Sequence, residues 1–141
     1  MKYYIYILIL VILSSCIDEK SLKPIVPGSL FHANSAKTWL LDKEIFNNRD
    51  VTPKIASNKM SLTFFSDGEF YQQKLMHLGT DKGIKGTFYL QIIDSDTLFY
   101  LDYKDSEKLK FNVHYLTEKN IQLSTLNDSL KWVLISYPKP F

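Results

Sequence analysis

Residues 108–115, KLKFNVHY, decide the fold class of this chain because apolar and polar side chains alternate along them. The apolar set is Leu109, Phe111, Val113 and Tyr115, and the residues between them are polar or charged. A period of two is typical of a strand with one face in a core and the other in water. The stretch therefore predicts a half-buried β-strand.

The same period returns elsewhere in the chain, between clusters of turn-forming residues. Met60, Leu62 and Phe64 alternate with polar neighbours, and Ser66-Asp67-Gly68 comes after them as a turn signal. Counted from Thr38, the predicted strands cover residues 38–46, 59–65, 69–75, 85–93, 97–103, 108–116, 121–125 and 129–137. No stretch of similar length has the spacing of an amphipathic helix.

Short strands joined mostly by tight turns predict an antiparallel meander, with residues 47–58 as a longer loop at one end. A meander has exposed edges unless it closes, and closure into an up-and-down barrel removes them. A barrel of about eight strands has an interior that side chains can fill or that holds one small ligand. The predicted fold is therefore an all-β, eight-stranded up-and-down barrel. A two-sheet β-sandwich is the alternative, because it also gives each strand one inward face.

The first 15 residues are predicted to be a signal peptide and not part of the fold. The apolar run of residues 3–13 has 11 residues, whereas a helix needs about 20 to cross a bilayer. Lys2 precedes the run, and Ser14 and Ser15 come directly after it. This is the order of charged, apolar and small-residue regions in a secretory signal.

Cys16, the single cysteine, comes directly after this segment. Residues 13–16, LSSC, resemble a bacterial lipobox, in which the cysteine thiol is joined to diacylglycerol before the chain is cleaved. A thiol in a thioether needs no disulfide partner, which accounts for the odd cysteine count. We expect a lipid anchor on Cys16 that holds the protein in the cell envelope, at the outer membrane, on its periplasmic face or the cell surface. The alternatives are an ordinary signal peptide and an uncleaved anchor.

Residues 16–36 are predicted to be the lipidated cysteine and a flexible tether, because prolines, glycine and small polar residues occur there without periodicity. Removal of residues 1–15 takes away Lys2 alone among the charged residues, so 17 basic residues become 16 against 15 acidic ones, a net charge of +1. A chain with this charge has no basic field to hold nucleic acid. Residues 37–141 are the predicted barrel domain.

Several short motifs in this domain resemble the lipocalin-like domains of small Bacteroidota lipoproteins. They are Trp39 and Leu41, residues 62–70 (LTFFSDGEF), residues 86–90 (GTFYL), Phe111, Val113, residues 116–118 (LTE), Ile121 and Leu123. The resemblance covers most of residues 37–137 and implies a lipocalin-like barrel. A shared fold does not establish a shared ligand.

The secreted lipocalins of animals differ from this chain in their first strand. They have Gly-x-Trp there and an arginine packed over the tryptophan. Here residue 37 is lysine, and the one arginine, Arg49, lies in a predicted loop. The difference argues against membership of the ligand-carrying animal lipocalins.

No catalytic or metal-binding constellation is predicted. His32, His77 and His114 lack the spacing of metal ligands. Residues 79–86, GTDKGIKG, lead into a predicted strand, whereas a phosphate loop needs Gly-Lys-Ser/Thr at the start of a helix. Two acidic residues, Asp94 and Asp96, are interpreted as turn residues. We therefore expect a protein that is not an enzyme and that uses no cofactor or metal.

Aromatic residues are the candidates for a ligand site. The six candidates for lining it are Trp39, Phe64, Phe70, Phe88, Phe111 and Trp132. The simpler interpretation is that they fill the core, because aromatic side chains bury large areas. The more specific one is that some of them line a pocket.

Two further motifs, Asp96-Thr97-Leu98 and Asp128-Ser129-Leu130, resemble the Asp-Ser/Thr-apolar acceptor for O-glycosylation in Bacteroidota. The alternative is that Thr97 and Ser129 simply begin strands.

Taken together, these features predict a membrane-anchored envelope lipoprotein whose barrel binds a small apolar ligand or a partner. The alternative is a filled barrel that serves as a structural accessory subunit of an envelope protein complex. An open pocket would favour the first, and an exposed apolar patch the second.

Overall fold

The computed structural model describes residues 27–106 and 108–138. The predicted signal peptide, the lipidation of Cys16 and most of the predicted tether lie outside the described residues. The elements are one short helix, nine strands and two 3-10 helices. They are α1 (Pro27–His32), β1 (Ala36–Phe46), β2 (Arg49–Asp50), β3 (Met60–Phe65), β4 (Glu69–Lys74), β5 (Ile84–Ile93), β6 (Asp96–Tyr103), β7 (Leu109–Leu116), β8 (Asn120–Thr125) and β9 (Leu130–Tyr137), with 3-10 helices at Ala56–Asn58 and Leu75–His77.

Eight of the strands form one closed antiparallel barrel. From β3 to β9 each strand pairs with the next, β1 pairs with β3, and β9 returns to pair with β1. In the closing pair, Leu40 lies opposite Ile135 and Leu41 opposite Leu134. The ninth strand, β2, pairs only with the end of β1 and lies outside the barrel.

The predicted fold class is therefore confirmed, and all eight predicted strands are present with bounds within about two residues. The β1–β9 pairing excludes the sandwich, because a sandwich has two sheets with separate edges. The architecture is consistent with a lipocalin-like barrel.

The connections between strands make the two ends of the barrel different. The closed end carries α1 and the tight turns at residues 66–68, 94–95 and 117–119. The open end carries the longer connections at residues 47–59 and 75–83, together with the β6–β7 and β8–β9 turns. The helix α1 lies across the closed end, where it contacts β1, β3 and β5.

The helix α1 lies inside the segment that the sequence predicts to be a tether. Its Phe31 has 0% exposure and belongs to the same core cluster as the strand aromatics. A helix of 6 residues is too short to show a repeating apolar face in the sequence. The packed unit therefore begins at least ten residues before the predicted domain start at residue 37.

The predicted loop at residues 47–58 contains a small hairpin. Asn47 and Asn48 have φ values of 48° and 63°, and they connect β1 to β2 as a two-residue turn. Asparagine tolerates this left-handed conformation, which matches the twist of the flanking strands. The rest of the segment ends in the 3-10 helix Ala56–Asn58.

The strand that decided the fold class contains an irregularity that its sequence did not show. The register of β7 against β8 shifts between Val113 and Tyr115, which indicates a β-bulge at His114. A bulge adds one residue to one strand and so reverses the facing of the residues beyond it. Tyr115 is consequently 50% exposed instead of facing the core with Leu109, Phe111 and Val113.

Candidate functional site

The six predicted pocket-lining aromatics are all buried in the barrel core. Trp39, Phe64 and Phe111 have 0% exposure, and Phe70, Phe88 and Trp132 have at most 8%. Neighbouring rings touch one another: the centroids of Phe64 and Phe88 are 4.7 Å apart, and those of Phe111 and Trp132 are 4.9 Å apart. The structure brings the six together as core filling, with Phe70 and Phe88 also bordering pockets on the surface.

Phe31 of α1 completes this aromatic cluster at the closed end. Its ring stacks on Phe99 with centroids 4.7 Å apart and meets Phe64 edge to face at 5.4 Å. The Trp39 indole N–H donates a buried hydrogen bond of 2.9 Å to the Phe31 carbonyl. Since α1 is joined to β1 by both packing and a hydrogen bond, Phe31 fills this half of the barrel interior.

Lys37 places a cation over Trp39. Its Nζ lies 4.2 Å from the ring centroid and donates a hydrogen bond to the Glu118 carbonyl. Burial lowers the pKa of Lys37, and the Glu118 carboxylate partly opposes that shift. The residue that distinguishes this chain from animal lipocalins thus supplies a positive charge over the tryptophan.

The inner wall near the open end is more polar than the aromatic half. The Tyr103 hydroxyl donates to Gln72 Oε1 at 2.5 Å, and burial raises the pKa of Tyr103 to about 12. The Trp132 indole N–H donates to the Glu44 carboxylate at 3.1 Å. Sequence periodicity missed both pairs, because each joins strands that are far apart in the chain.

Apolar side chains next to these polar pairs are only half-buried. Met60, Leu109 and Leu130 pack against the core cluster from the open end without being enclosed. An apolar lining with a few polar groups is the usual composition of a small-ligand site. The open end is therefore the part of the barrel interior where a ligand could bind without displacing the aromatic core.

Gly86 shows how tightly the aromatic half is packed. A Cβ placed on Gly86 would lie 2.5 Å from Cε1 of Phe70, whose ring crosses the backbone there. Gly86, the first residue of one of the motifs of the family resemblance, therefore has a packing role on β5.

The histidines and acidic residues do not converge on a reactive centre in residues 27–106 and 108–138. His114 Nε2 and Ser124 Oγ are 2.6 Å apart, and His32 Nδ1 accepts a hydrogen bond from the backbone N–H of Asn34. No three metal-ligating side chains gather in the described chain. Asp94 has φ of 56° in the β5–β6 turn, in keeping with its interpretation as a turn residue.

The two residues of the predicted glycosylation motifs lie at the starts of strands. Thr97 is half-buried on β6, and the Ser129 hydroxyl donates to Asn127 Oδ1 at 2.7 Å just before β9. Their modification stays a prediction.

Exposed apolar side chains are concentrated at the open end. Of the large exposed hydrophobic residues, those on the open-end loops and strand ends are Phe46, Val51, Ile55, Met76, Ile84 and Leu126. The 3-10 helices Ala56–Asn58 and Leu75–His77 contact each other and bring two of these loops together. Clustered exposed apolar residues typically mark an interaction site.

No protein family, curated protein or solved structure that we compared matches this chain. Within the described part of the chain, no helix is both long and apolar enough to span a membrane.

Proposed function

We propose that this chain is a non-enzymatic lipoprotein of the cell envelope, anchored through Cys16 at the outer membrane, whose filled barrel serves as an accessory subunit of an envelope protein complex. The observation that carries the proposal is the aromatic core, in which Phe31 and all six predicted pocket residues are buried against one another. Because the interior is filled, the protein would act through contacts that its outer surface makes with other proteins.

The distribution of surface residues supports contact through the open end. The helix α1 lies at the closed end, and six exposed apolar residues lie at the opposite end. A domain held by a lipid on Cys16 would have the open end free to meet another envelope protein. Burial of these side chains in an interface would give the hydrophobic contribution that a stable complex needs.

The anchor is tested by metabolic labelling with palmitate. We expect the label to enter the protein and to be lost in Cys16→Ser, because only the thiol forms the thioether. Ser21→Ala, a change in the same segment, should keep the label. Label that survives Cys16→Ser would contradict the anchor.

A second function, binding of a small apolar ligand, is favoured by the half-buried Met60, Leu109 and Leu130 at the open end. There a ligand would cover apolar surface that the barrel leaves exposed. The Gln72–Tyr103 and Glu44–Trp132 pairs would supply the few polar groups that orient it.

Native mass spectrometry separates the two functions. The sample is a soluble form that begins at Ser21, isolated gently from its host. The accessory-subunit proposal expects the mass of the chain alone, with no uptake from an envelope lipid extract. A bound mass released on denaturation would instead support ligand binding and identify the ligand class.

A further inference from the structure

A pocket opens at the ends of β3, β4 and β5, beside the loop of residues 75–83. We call it the loop pocket; it has a volume of about 490 Å³ and is lined by Met60, Lys74, His77, Lys82 and Ile84, together with neighbouring residues. This volume falls in the range of small-molecule sites, about 300–1,000 Å³. None of the predicted ligand-lining residues borders it.

The rim of the loop pocket is basic. Lys74 and Lys82 are exposed, and neither forms a salt bridge with any residue in the described ranges. His77 adds a third nitrogen base on the same rim. The one carboxylate of the loop, Asp81, borders a different pocket with Phe65 and Tyr71. The loop pocket therefore presents positive charge without a carboxylate in its lining to neutralise it.

The charge distribution of the barrel adds to this local field. Among the described residues, exposed basic side chains outnumber exposed acidic ones at the open end, and the reverse holds at the closed end. The open-end set is Lys43, Arg49, Lys54, Lys74, Lys82, Lys85 and Lys104, besides Lys108 in its salt bridge with Asp102, against Asp50, Asp81, Asp105 and Asp128. The closed-end set is Asp67, Glu69, Asp94, Asp96 and Glu118 against Lys119. Charges separated in this way attract an anion to the basic end over about a Debye length, ~8–10 Å in physiological salt.

Two apolar side chains, Ile84 and Met60, also line the loop pocket. Ile84 is 53% exposed on the first residue of β5, and Met60 is half-buried on the first residue of β3. Met60 also packs against the buried core cluster, so the apolar lining is continuous with the barrel interior. An alkyl chain placed here would cover apolar surface that now faces water.

The loop backbone is held rigidly by one buried amide. Gln73 is 5% exposed, and its Nε2 lies 2.8, 2.9 and 3.0 Å from the carbonyl oxygens of His77, Thr80 and Lys82. Gly83 closes the loop where a Cβ would lie 2.6 Å from the Gln72 carbonyl oxygen. Because these contacts fix the backbone at His77 and Lys82, the positions of these two residues on the rim are set before a ligand binds.

We propose that the loop pocket binds an anionic amphiphile, with Lys74, His77 and Lys82 taking its carboxylate or phosphate and Met60 and Ile84 contacting its alkyl chain. This inference rests on the second function proposed above, the binding of a small ligand at the open end. It deepens that function by giving the ligand a charged head group. The same chemistry belongs to a free amphiphile and to a membrane lipid.

The test uses the full chain as isolated from its host, in phosphatidylcholine nanodiscs, titrated with octyl phosphate, octanol and inorganic phosphate in a calorimeter. We expect saturable binding of octyl phosphate, with an affinity at least about tenfold higher than that of either other probe. Only octyl phosphate has both a charged head for the basic rim and an alkyl chain for the apolar lining. Octanol or phosphate binding as tightly as octyl phosphate would overturn the proposal.

Matched variants locate the site. The double variant Lys74→Ala/Lys82→Ala should weaken octyl phosphate binding about tenfold or more, since two charge-assisted contacts are lost. Ile84→Ser should weaken the binding of octyl phosphate without changing the affinity for inorganic phosphate. Lys119→Ala, a change at an exposed lysine of the closed end, should leave affinity unchanged. Equal losses in Lys119→Ala and the double variant would overturn the assignment.

Two further arms distinguish the ligand source and the underlying function. Loss of octyl phosphate binding in nanodiscs that contain phosphatidylglycerol would assign the site to membrane lipid, and retained binding would assign it to a free amphiphile. A bound native mass that is unaffected by Lys74→Ala/Lys82→Ala would overturn the loop pocket while leaving ligand binding at the open end intact.

Discussion

Tyr103 illustrates how a buried polar side chain is accommodated in a barrel rich in aromatic residues. Its ring meets Phe70 edge to face with centroids 5.1 Å apart, and its hydroxyl is held by Gln72. Removal from water disfavours the phenolate, which raises the pKa of Tyr103 from 10.0 to about 12.

We expect Tyr103→Phe to remove a phenol that ionises near pH 12. The measurement is an absorbance titration of phenolate in the folded protein. Tyr115→Phe, a change on the exposed side of the bulge, should leave that step in place. A titration near pH 12 that survives in Tyr103→Phe would contradict the assignment.

The same shift affects stability with a definite sign. Above pH 10 the unfolded chain loses the Tyr103 proton, whereas the folded chain keeps it until about pH 12. The folded state then binds more protons, so the contribution of Tyr103 to the free energy of unfolding falls as pH rises through this window. In Tyr103→Phe the decline over this window should be shallower.

Lys37 and Gly86 show why the roles of single residues are hard to predict from the sequence alone. Lysine at residue 37 departs from the pattern of animal lipocalins, yet its Nζ lies over Trp39 in the folded barrel. Gly86 belongs to the motifs of the family resemblance, but the ring of Phe70 that requires it lies on another strand. Both roles depend on neighbours in space, which strand periodicity does not specify.

Among the elements, α1 differs most from the sequence-based expectation. It lies in the predicted tether, yet Phe31 contacts Phe64, Phe88 and Phe99 in the core. The helix is therefore an integral cover of the closed end and part of the unit that must fold with the strands.

We expect Phe31→Ala to lower the free energy of unfolding by about 3–5 kcal/mol, because it leaves a cavity among buried rings. Urea denaturation measures the change. The neighbouring variant Leu30→Ala, at a half-buried position, should cost less. A loss for Phe31→Ala no larger than that for Leu30→Ala would show that α1 is not firmly packed in solution.

The bulge in β7 is the second element that the sequence did not reveal. Alternation in residues 108–115 correctly predicted the strand and the inward facing of Leu109, Phe111 and Val113. It was wrong for Tyr115, because the extra residue at His114 reverses the facing beyond it. The alternation of apolar and polar residues continues unbroken through His114, so the sequence pattern gives no sign of the bulge there.

At the scale of the whole molecule, the periodicity of the sequence did not decide between a closed barrel and a two-sheet sandwich. The β1–β9 pairing converts two potential sheet edges into one more hydrogen-bonded ladder. This protects the strands from pairing with other chains.

Hydrogen exchange tests the closure in solution. We expect amides in the paired stretch of β1 and β9, such as Leu41 and Ile135, to exchange as slowly as those of the β5–β6 ladder. Amides of β2, outside the barrel, should exchange much faster. Rapid exchange along β1 and β9, with slow exchange in β5 and β6, would contradict a closed barrel.

The sequence by itself determined the all-β class, the eight strands and six of the aromatic residues of the core, because alternation and turn chemistry are local properties of the chain. Only the tertiary structure decided between barrel and sandwich, placed Phe31 in the core, and set the polar pairs and the basic loop pocket at one end. These features join residues that are distant along the chain, and their positions depend on how the strands close and pack rather than on the local pattern.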